Sequence, residues 1–329
     1  MWPACEQPVK DAVGASDRLR VSLAAAIDDL LDGATAPPGP VYVGWVAAVE
    51  ASACPARYRA QGDEGWGFPG WSAATAAGAI GRAALDLHLD EAGAAADCLP
   101  EPLEAVRRWM RAAGSAGASG VSGWVGDLRA DGDGATLAAA AASASRWLAG
   151  FVRVLGWPLP RGLALLNVAR EGGRSAVAKW WPRQGSPVSV GSGADARIGR
   201  VTGAGDYELV VHRPSAGDDR DVHRRATVEA AAGALVHRVA PSAILVTAGD
   251  TGDRSRIAVD EALLTAGGDM LAEVVRQRVV AVDRGYDAAD ATPSAQCRWC
   301  DLRALCPPGA AWLAGPGRWR GGLPVLGPG

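Results

Sequence analysis

Ala194-Asp195-Ala196-Arg197-Ile198-Gly199-Arg200-Val201-Thr202 and Tyr207-Glu208-Leu209-Val210-Val211-His212 are two short β-favouring runs, separated by a turn that holds Gly203, Gly205 and Asp206. Gly and Asp interrupt apolar alternation there as they do in a hairpin. Working outward, residues 224–237 carry a helical pattern and 243–247 are a continuous apolar run, Ala-Ile-Leu-Val-Thr, of strand length. A short strand over 256–259 and a long helix over 260–284 complete the C-terminal half, and a β-favouring run over 175–181 precedes it. Strand, strand, helix, strand is the rhythm of a mixed α/β sheet.

The N-terminal half is patterned differently. Ser16 precedes an amphipathic stretch over 17–31 that ends before Gly33, a capped helix. The spacing predicts further helices over 41–60, begun or interrupted at Pro55, and over 72–90, 101–113 and 136–155, with a Gly/Ser/Asp-rich loop over 114–134. Gly78, inside the helix over 72–90, predicts close packing or backbone approach. The expected organisation is a helical segment over 1–40, a main domain over 41–310 with a helical insertion at about 101–170 and a sheet core at about 175–260, and a tail over 311–329.

The chain has 329 residues, of which 49% are hydrophobic, and a formal charge of -3. This suits a core-forming protein and lacks the overall basic charge of one built on nucleic-acid backbone contacts alone. No apolar run approaches the ~20 residues of a membrane span. The start, Met1-Trp2-Pro3-Ala4-Cys5-Glu6, has no signal-peptide pattern, so a cytoplasmic protein without membrane contact is expected. Thiols there are metal ligands or plain buried groups before they are disulfides, and Cys5 and Cys98, remote from the others, are expected to be plain. No phosphate-binding G-x-x-x-x-G-K-[ST] loop occurs; the glycines of 185–193 and 249–252 are expected in hairpin turns. Thirteen tryptophans against two phenylalanines raise the question of a base-stacking platform, for which Trp180-Trp181 beside Lys179 and Arg183 is the candidate.

The segment 292–307 contains Cys297-Arg298-Trp299-Cys300 and Cys306, a C-x2-C-x5-C arrangement one thiol short of the four that a tetrahedral zinc or a [4Fe-4S] cluster takes. Elsewhere Cys54 is followed by Pro55-Ala56-Arg57-Tyr58. An early Cys-Pro with an Arg-Tyr pair, a mixed sheet and three late cysteines together resemble the RecB-like, AddB-like branch of the PD-(D/E)XK nuclease superfamily, over roughly residues 40–310. The resemblance implies a restriction-endonuclease-like core, a mixed sheet flanked by helices, closed by a four-cysteine metal cluster. It nominates Cys54, Cys297, Cys300 and Cys306 as ligands of a [4Fe-4S] cluster, with zinc as the alternative.

The same resemblance locates the catalytic positions and finds them changed. A member of the family has Gly-x-x-x-His, then Arg-Ile-Asp-Arg, then Val-Val-Asp-x-Lys-Thr, then Gln-x-x-x-Tyr. Here Gly78 is followed by Arg82 at the histidine position. Gly199 stands at the metal-binding aspartate, and His212 and Pro214 stand at the second acid and the lysine. Arg225 and Glu229 occupy the Gln and Tyr positions. Glycine has no donor atom and proline no amine, so no Mg2+ or Mn2+ site is expected. Asp195, Asp206 and Glu208 lie near in sequence but fit solvated turn charges. Arg197, Arg200 and Arg213 flank the altered positions and are candidate phosphate contacts. The expectation is a catalytically inactive pseudo-nuclease acting in DNA binding or as a non-catalytic subunit beside a helicase or other protein in a repair, recombination or defence assembly. An active nuclease with relocated acids, and a structural or redox-responsive cluster protein, are the alternatives.

Overall fold

A computed structural model describes residues 11–35, 37, 39–60, 71–92, 101–114, 120–155, 163–166, 179–200, 207–213, 219–249, 252–284, 286–294, 297 and 300–315. Its elements are α1 (Ala12–Leu31), β1 (Val41–Val43), α2 (Trp45–Ala53), α3 (Pro55–Ala60), α4 (Ala77–Ala92), α5 (Pro102–Ala112), α6 (Gly120–Ala130), α7 (Gly134–Leu155), β2 (Leu163–Leu166), β3 (Lys179–Trp180), β4 (Val188–Gly191), β5 (Ala196–Arg200), β6 (Tyr207–Arg213), α8 (Asp219–His237), β7 (Ala243–Ala248), β8 (Arg254–Ala258), α9 (Glu261–Arg284) and α10 (Pro307–Ala314), with 3-10 turns at Ala288–Asp290 and Asp301–Leu305.

Leu209, Val210 and Val211 on β6 and Ile244, Leu245 and Val246 on β7 are all buried. Successive residues of a strand point to opposite faces, so a strand apolar at every position must be covered on both sides. Leu209, Val211, Ile244 and Val246 pack with Leu19, Leu23 and Ile27 of α1 and with α8 and α9. Val210 and Leu245, with Ala196 and Ile198 of β5, pack with Ile80 and Leu85 of α4 and with Leu148 and Phe151 of α7. The result is three layers, helix on sheet on helix.

The sheet has the order β2-β5-β6-β7-β8. β2/β5, β5/β6 and β7/β8 are antiparallel, whereas β6/β7 is parallel. A parallel neighbour requires a crossover, and α8 supplies it. A second sheet, β1-β4-β3, lies against α8, with β1 parallel and β3 antiparallel to β4. This order positions the site, because the C-terminal ends of β6 and β7 lie side by side beneath α7.

The mixed α/β class is as the sequence implies, with local differences. The stretch 101–170 is not all helical, because Leu163–Leu166 pairs with β5; a four-residue apolar run has no period by which to separate strand from helix. α6 lies where a loop was expected. Gly and Ser disguise a helical spacing in which Val125 is buried and Val121 and Trp124 pack beside it. Within 41–60, Val41–Val43 is a strand and Cys54 breaks the helix in two. Val188–Gly191 is a strand rather than part of a turn, the turn being at Gly185 with φ +79°. The cap of α1 is Asp11, which accepts from Gly14 N at 2.9 Å; Ser16 is buried inside the helix and donates to Ala234 O at 2.7 Å. Of the 175–181 run only Lys179–Trp180 falls within the described residues as strand. Trp180 is buried while Trp181 is exposed, so this pair offers one surface ring.

The expected close approach on α4 is one turn further along than Gly78. A Cβ on Gly81 would stand 2.3 Å from Cε3 of Trp147, whereas one on Gly78 would be in ordinary contact, 3.4 Å from Nε1. Trp147 is buried in the α4–α7 interface and cannot withdraw cheaply. Gly81→Ala is therefore expected to destabilise the protein by about 1–3 kcal/mol as overpacking. Gly78→Ala should be neutral or slightly stabilising by helix propensity. Urea titrations of the two variants check the contrast, and equal midpoints would contradict it.

Candidate functional site

Asp195 immediately precedes β5, and its N–H donates to Val210 O at 2.8 Å. Its side chain has no exposed surface. Oδ1 accepts from Arg82 Nη1 of α4 at 2.6 Å; Oδ2 accepts from Arg225 Nη2 of α8 at 2.9 Å and from the backbone N–H of His212 at 2.6 Å. Burial opposes ionisation, but the charges of Arg225 and Arg82 and the hydrogen bonds outweigh it and hold the carboxyl below the usual carboxylate range. Asp195 is thus a buried ion centre, not the solvated turn charge that its Gly-rich surroundings imply. Asp206 lies outside the described residues, and Glu208 is engaged by Arg256 at 2.6 Å.

His212 lies on the α7 side of β6, two residues beyond Val210. Its Nδ1 is 2.8 Å from Thr247 Oγ1 on the parallel strand β7. Trp147 and Phe151 meet the ring edge-on at centroid distances of 5.0 and 5.5 Å. Nε2 is buried with no hydrogen-bond partner. Burial pushes the imidazole pKa down to about 4; Asp195 opposes this, Arg225 adds to it. The ring is neutral at ordinary pH.

Arg82, His212 and Arg225, three of the positions that the resemblance singles out, line one cavity of about 700 Å³ together with Arg146, Trp147 and Arg153 of α7. Gly199 is not among them. It pairs with Ala164 on β2 and Tyr207 on β6, five positions along β6 from His212, or about 17 Å at 3.4 Å per residue. The carboxylate beside His212 comes instead from Asp195, at the start of the same strand. Pro214 lies outside the described residues. Of the arginines nominated for phosphate, Arg197 lies on the opposite face of the sheet, over the Tyr207 ring at 5.4 Å and 3.4 Å from His237 Nδ1. Arg213 alternates away from His212 along β6, and the side chain of Arg200 is outside the described residues. The basic residues of the cavity are on helices. Arg146 and Arg153 are seven apart on α7, two turns on one face, a spacing that the sequence displays alongside Ser143 and Gly150.

Glu229, one turn along α8 from Arg225, is wholly buried and accepts from Ser192 Oγ at 2.7 Å and from Gly193 N at 2.9 Å. Burial raises its pKa to about 7, partly countered by Arg225. Arg225 also donates to Gly193 O and stacks 4.4 Å above the Trp45 ring. A hard divalent cation needs several oxygen ligands. Here the carboxylate at the floor is saturated by two guanidiniums and an N–H, and none of the described cavity-lining residues is acidic. The chemistry on offer is attraction of an anion.

The four nominated cysteines meet at a second place. Cys54 caps the C-terminus of α2, and Cys300 and Cys306 bound the 3-10 turn at Asp301–Leu305. All four, with Arg57 and Tyr286, line one small cavity. Cys297 Sγ and Cys306 Sγ are 3.4 and 3.2 Å from where a Cβ on Gly309 would stand. Cys297 Sγ accepts from Ser294 N and Cys306 Sγ from Gly309 N, each at 3.4 Å. Burial first, and then the neighbouring Cys297 and Cys54 thiols, push the Cys300 pKa up. Buried Arg59 fixes α3 here by donating to Gln277 Oε1 at 2.9 Å and pairing with Asp290. Among the described residues, no three His, Cys, Asp or Glu side chains are gathered tightly enough to hold one metal ion. Cys5 and Cys98 lie outside the described residues.

No family model matches the chain, and no curated protein matches it. No described helix is long and apolar enough to cross a membrane.

Two stability measurements follow from the carboxylates. Asp195→Asn leaves Arg82 and Arg225 without their counter-charge, and about 3 kcal/mol of stability should be lost. Because the folded pKa of Asp195 is depressed, its contribution is present above the unfolded carboxylate pKa and is lost as pH falls through the acid range. Glu229 has the opposite sign. Its folded pKa is raised, so stability declines as pH rises from about 4.5 to about 7. Glu229→Gln should flatten that decline in thermal melts; an unaltered slope would show that Glu229 is not the group responsible.

Proposed function

We propose that the chain is a catalytically inactive relative of the RecB-like PD-(D/E)XK nucleases, acting in DNA binding or as the non-catalytic subunit of a repair, recombination or defence assembly. The observation that carries this reading is Asp195 locked between Arg82 and Arg225. In the resemblance, two acids at the end of paired strands hold a divalent metal and a lysine positions or activates water; here a neutral histidine and two arginines stand around one ion-paired carboxylate. The sheet order, with antiparallel β2/β5/β6, the α8 crossover and parallel β7, supports a restriction-endonuclease-like core. An active nuclease with relocated acids finds no support in Asp195, since its oxygens are occupied and the surrounding field repels a cation.

The cysteine centre is read in the same way. Four thiols around one cavity are a suitable donor set for a [4Fe-4S] cluster, which takes four cysteines. Zinc on the same four thiols is the alternative. Cys54, Cys297, Cys300 and Cys306 would hold the cluster as a structural clamp, and the Ser294 and Gly309 amides would stabilise its sulfurs. Closing a loop of more than a hundred residues contributes about 4–5 kcal/mol if treated as a disulfide is.

Three results are expected. Protein purified without oxygen contains iron and sulfide in place of zinc. Cys54→Ser loses the iron and melts at lower temperature, whereas retention of both would remove Cys54 from the ligand set. Incubation with single- or double-stranded DNA in Mg2+ or Mn2+ gives no cleavage; robust cleavage abolished by Asp195→Ala would sink the inactive reading.

A further inference from the structure

We infer that the cavity between α4, α7 and the ends of β6 and β7 takes a phosphomonoester dianion, the terminal phosphate of a nucleic-acid strand. This rests on the nucleic-acid reading above and specifies which part of the polymer enters the site.

Charge is the first ground. Arg82 and Arg225 face Asp195 at the floor, one cation in excess, and Arg146 and Arg153 add two more at the exposed rim. The described lining residues include no acid to cancel them. The first turn of α4 lies in the same wall, at Ala77 and Gly78, where the helix dipole favours negative charge.

Unpaired polar atoms are the second ground, and an independent one. His212 is 2% exposed and forms part of the wall, yet its Nε2 has no hydrogen-bond partner; Nε of Arg225 is likewise buried and unpaired. Buried polar atoms without partners are uncommon and mark places where a further group belongs. Nδ1 is engaged by Thr247 Oγ1 at 2.8 Å, so Nε2 is the ring nitrogen left for a further group.

Size and valence select the ligand. A cavity of about 700 Å³ is in the range of small-molecule sites and admits a nucleotide, not a duplex whose major groove alone is about 12 Å wide. An internal phosphodiester has one charge and two esterified oxygens. A terminal phosphate has up to two charges near neutral pH and three free oxygens, a better match for several guanidinium donors. The rim arginines, two turns apart on α7, are placed to meet the strand behind that phosphate.

The test is fluorescence anisotropy on the full chain, without divalent metal, using short single-stranded oligodeoxynucleotides that differ only in a terminal phosphate or hydroxyl at the unlabelled end. At least one phosphorylated end should bind about tenfold or more tighter than its hydroxyl counterpart. Arg146→Ala with Arg153→Ala should erase most of the difference, while circular dichroism and melting stay unchanged because both side chains are exposed. The His212 ring resonances should shift on binding of the phosphorylated strand and not of the hydroxyl strand. Competition by a nucleoside monophosphate as strong as by the phosphorylated strand would keep the phosphomonoester pocket and assign it to free nucleotides, overturning the strand-end source. Equal binding of phosphorylated, hydroxyl and circular strands would overturn the pocket and leave a non-cleaving DNA-binding protein. Binding of none of these ligands would overturn it as well. Cleavage in added Mg2+ would instead sink the non-hydrolytic reading, whatever the phosphate preference.

Discussion

The carboxylate of Asp195 is where the three layers of the molecule are joined. It receives one guanidinium from α4 on one side of the sheet, one from α8 on the other, and the backbone N–H of His212 from the sheet between them. Each guanidinium would be costly to bury alone, and the carboxylate more so. Together they fix how α4 and α8 sit relative to the end of β6. Apolar packing gives the layers their attraction, but Leu, Val and Ala surfaces tolerate sliding in a way that a three-way charged hydrogen-bond centre does not.

Cysteine placement makes a second joint at the far side of the helical layer. Cys54 is available because Pro55 starts a new helix just as α2 ends, which turns its side chain out of either helix and toward the 297–306 segment. Arg59 to Gln277 and Asp290, and Arg278 to Tyr58, hold α3 against α9 without any metal. The protein part of this joint is therefore pre-shaped.

Much of the fold was legible because it is written in period. Leu209–Val211 of β6 and Ala243–Val246 of β7 are unbroken apolar runs, and α8 and α9 carry helical spacing of ordinary length. What escaped were elements too short or too unusual in composition for period to register, Leu163–Leu166 and the Gly-rich α6 among them. The site was legible by position and not by contact. Arg82, His212 and Arg225 do share a cavity, but alignment by spacing alone pointed to Gly199, and strand register moves that residue away from His212 and brings Asp195 to it. Register depends on turn geometry and pairing partners, neither of which a strand's own residues reveal. Arg146 and Arg153 belong to none of the motifs that carry the resemblance, and only the folding of α7 over β6 makes them neighbours of His212.

The two buried carboxylates show what kind of surroundings this region provides. Glu229 and Asp195 are both fully enclosed and both feel Arg225, yet one is raised to about 7 and the other is held low. Asp195 has a second guanidinium in Arg82 and two charge-assisted bonds to guanidiniums, while Glu229 is bonded only by a hydroxyl and an amide. Burial penalises both equally in kind; the count of facing cations decides the outcome. By the same reasoning a metal dication placed among these arginines would meet the opposite penalty. An incoming anion would instead find Arg82 and Arg225 already held in place by Asp195, so that less ordering at the floor opposes binding.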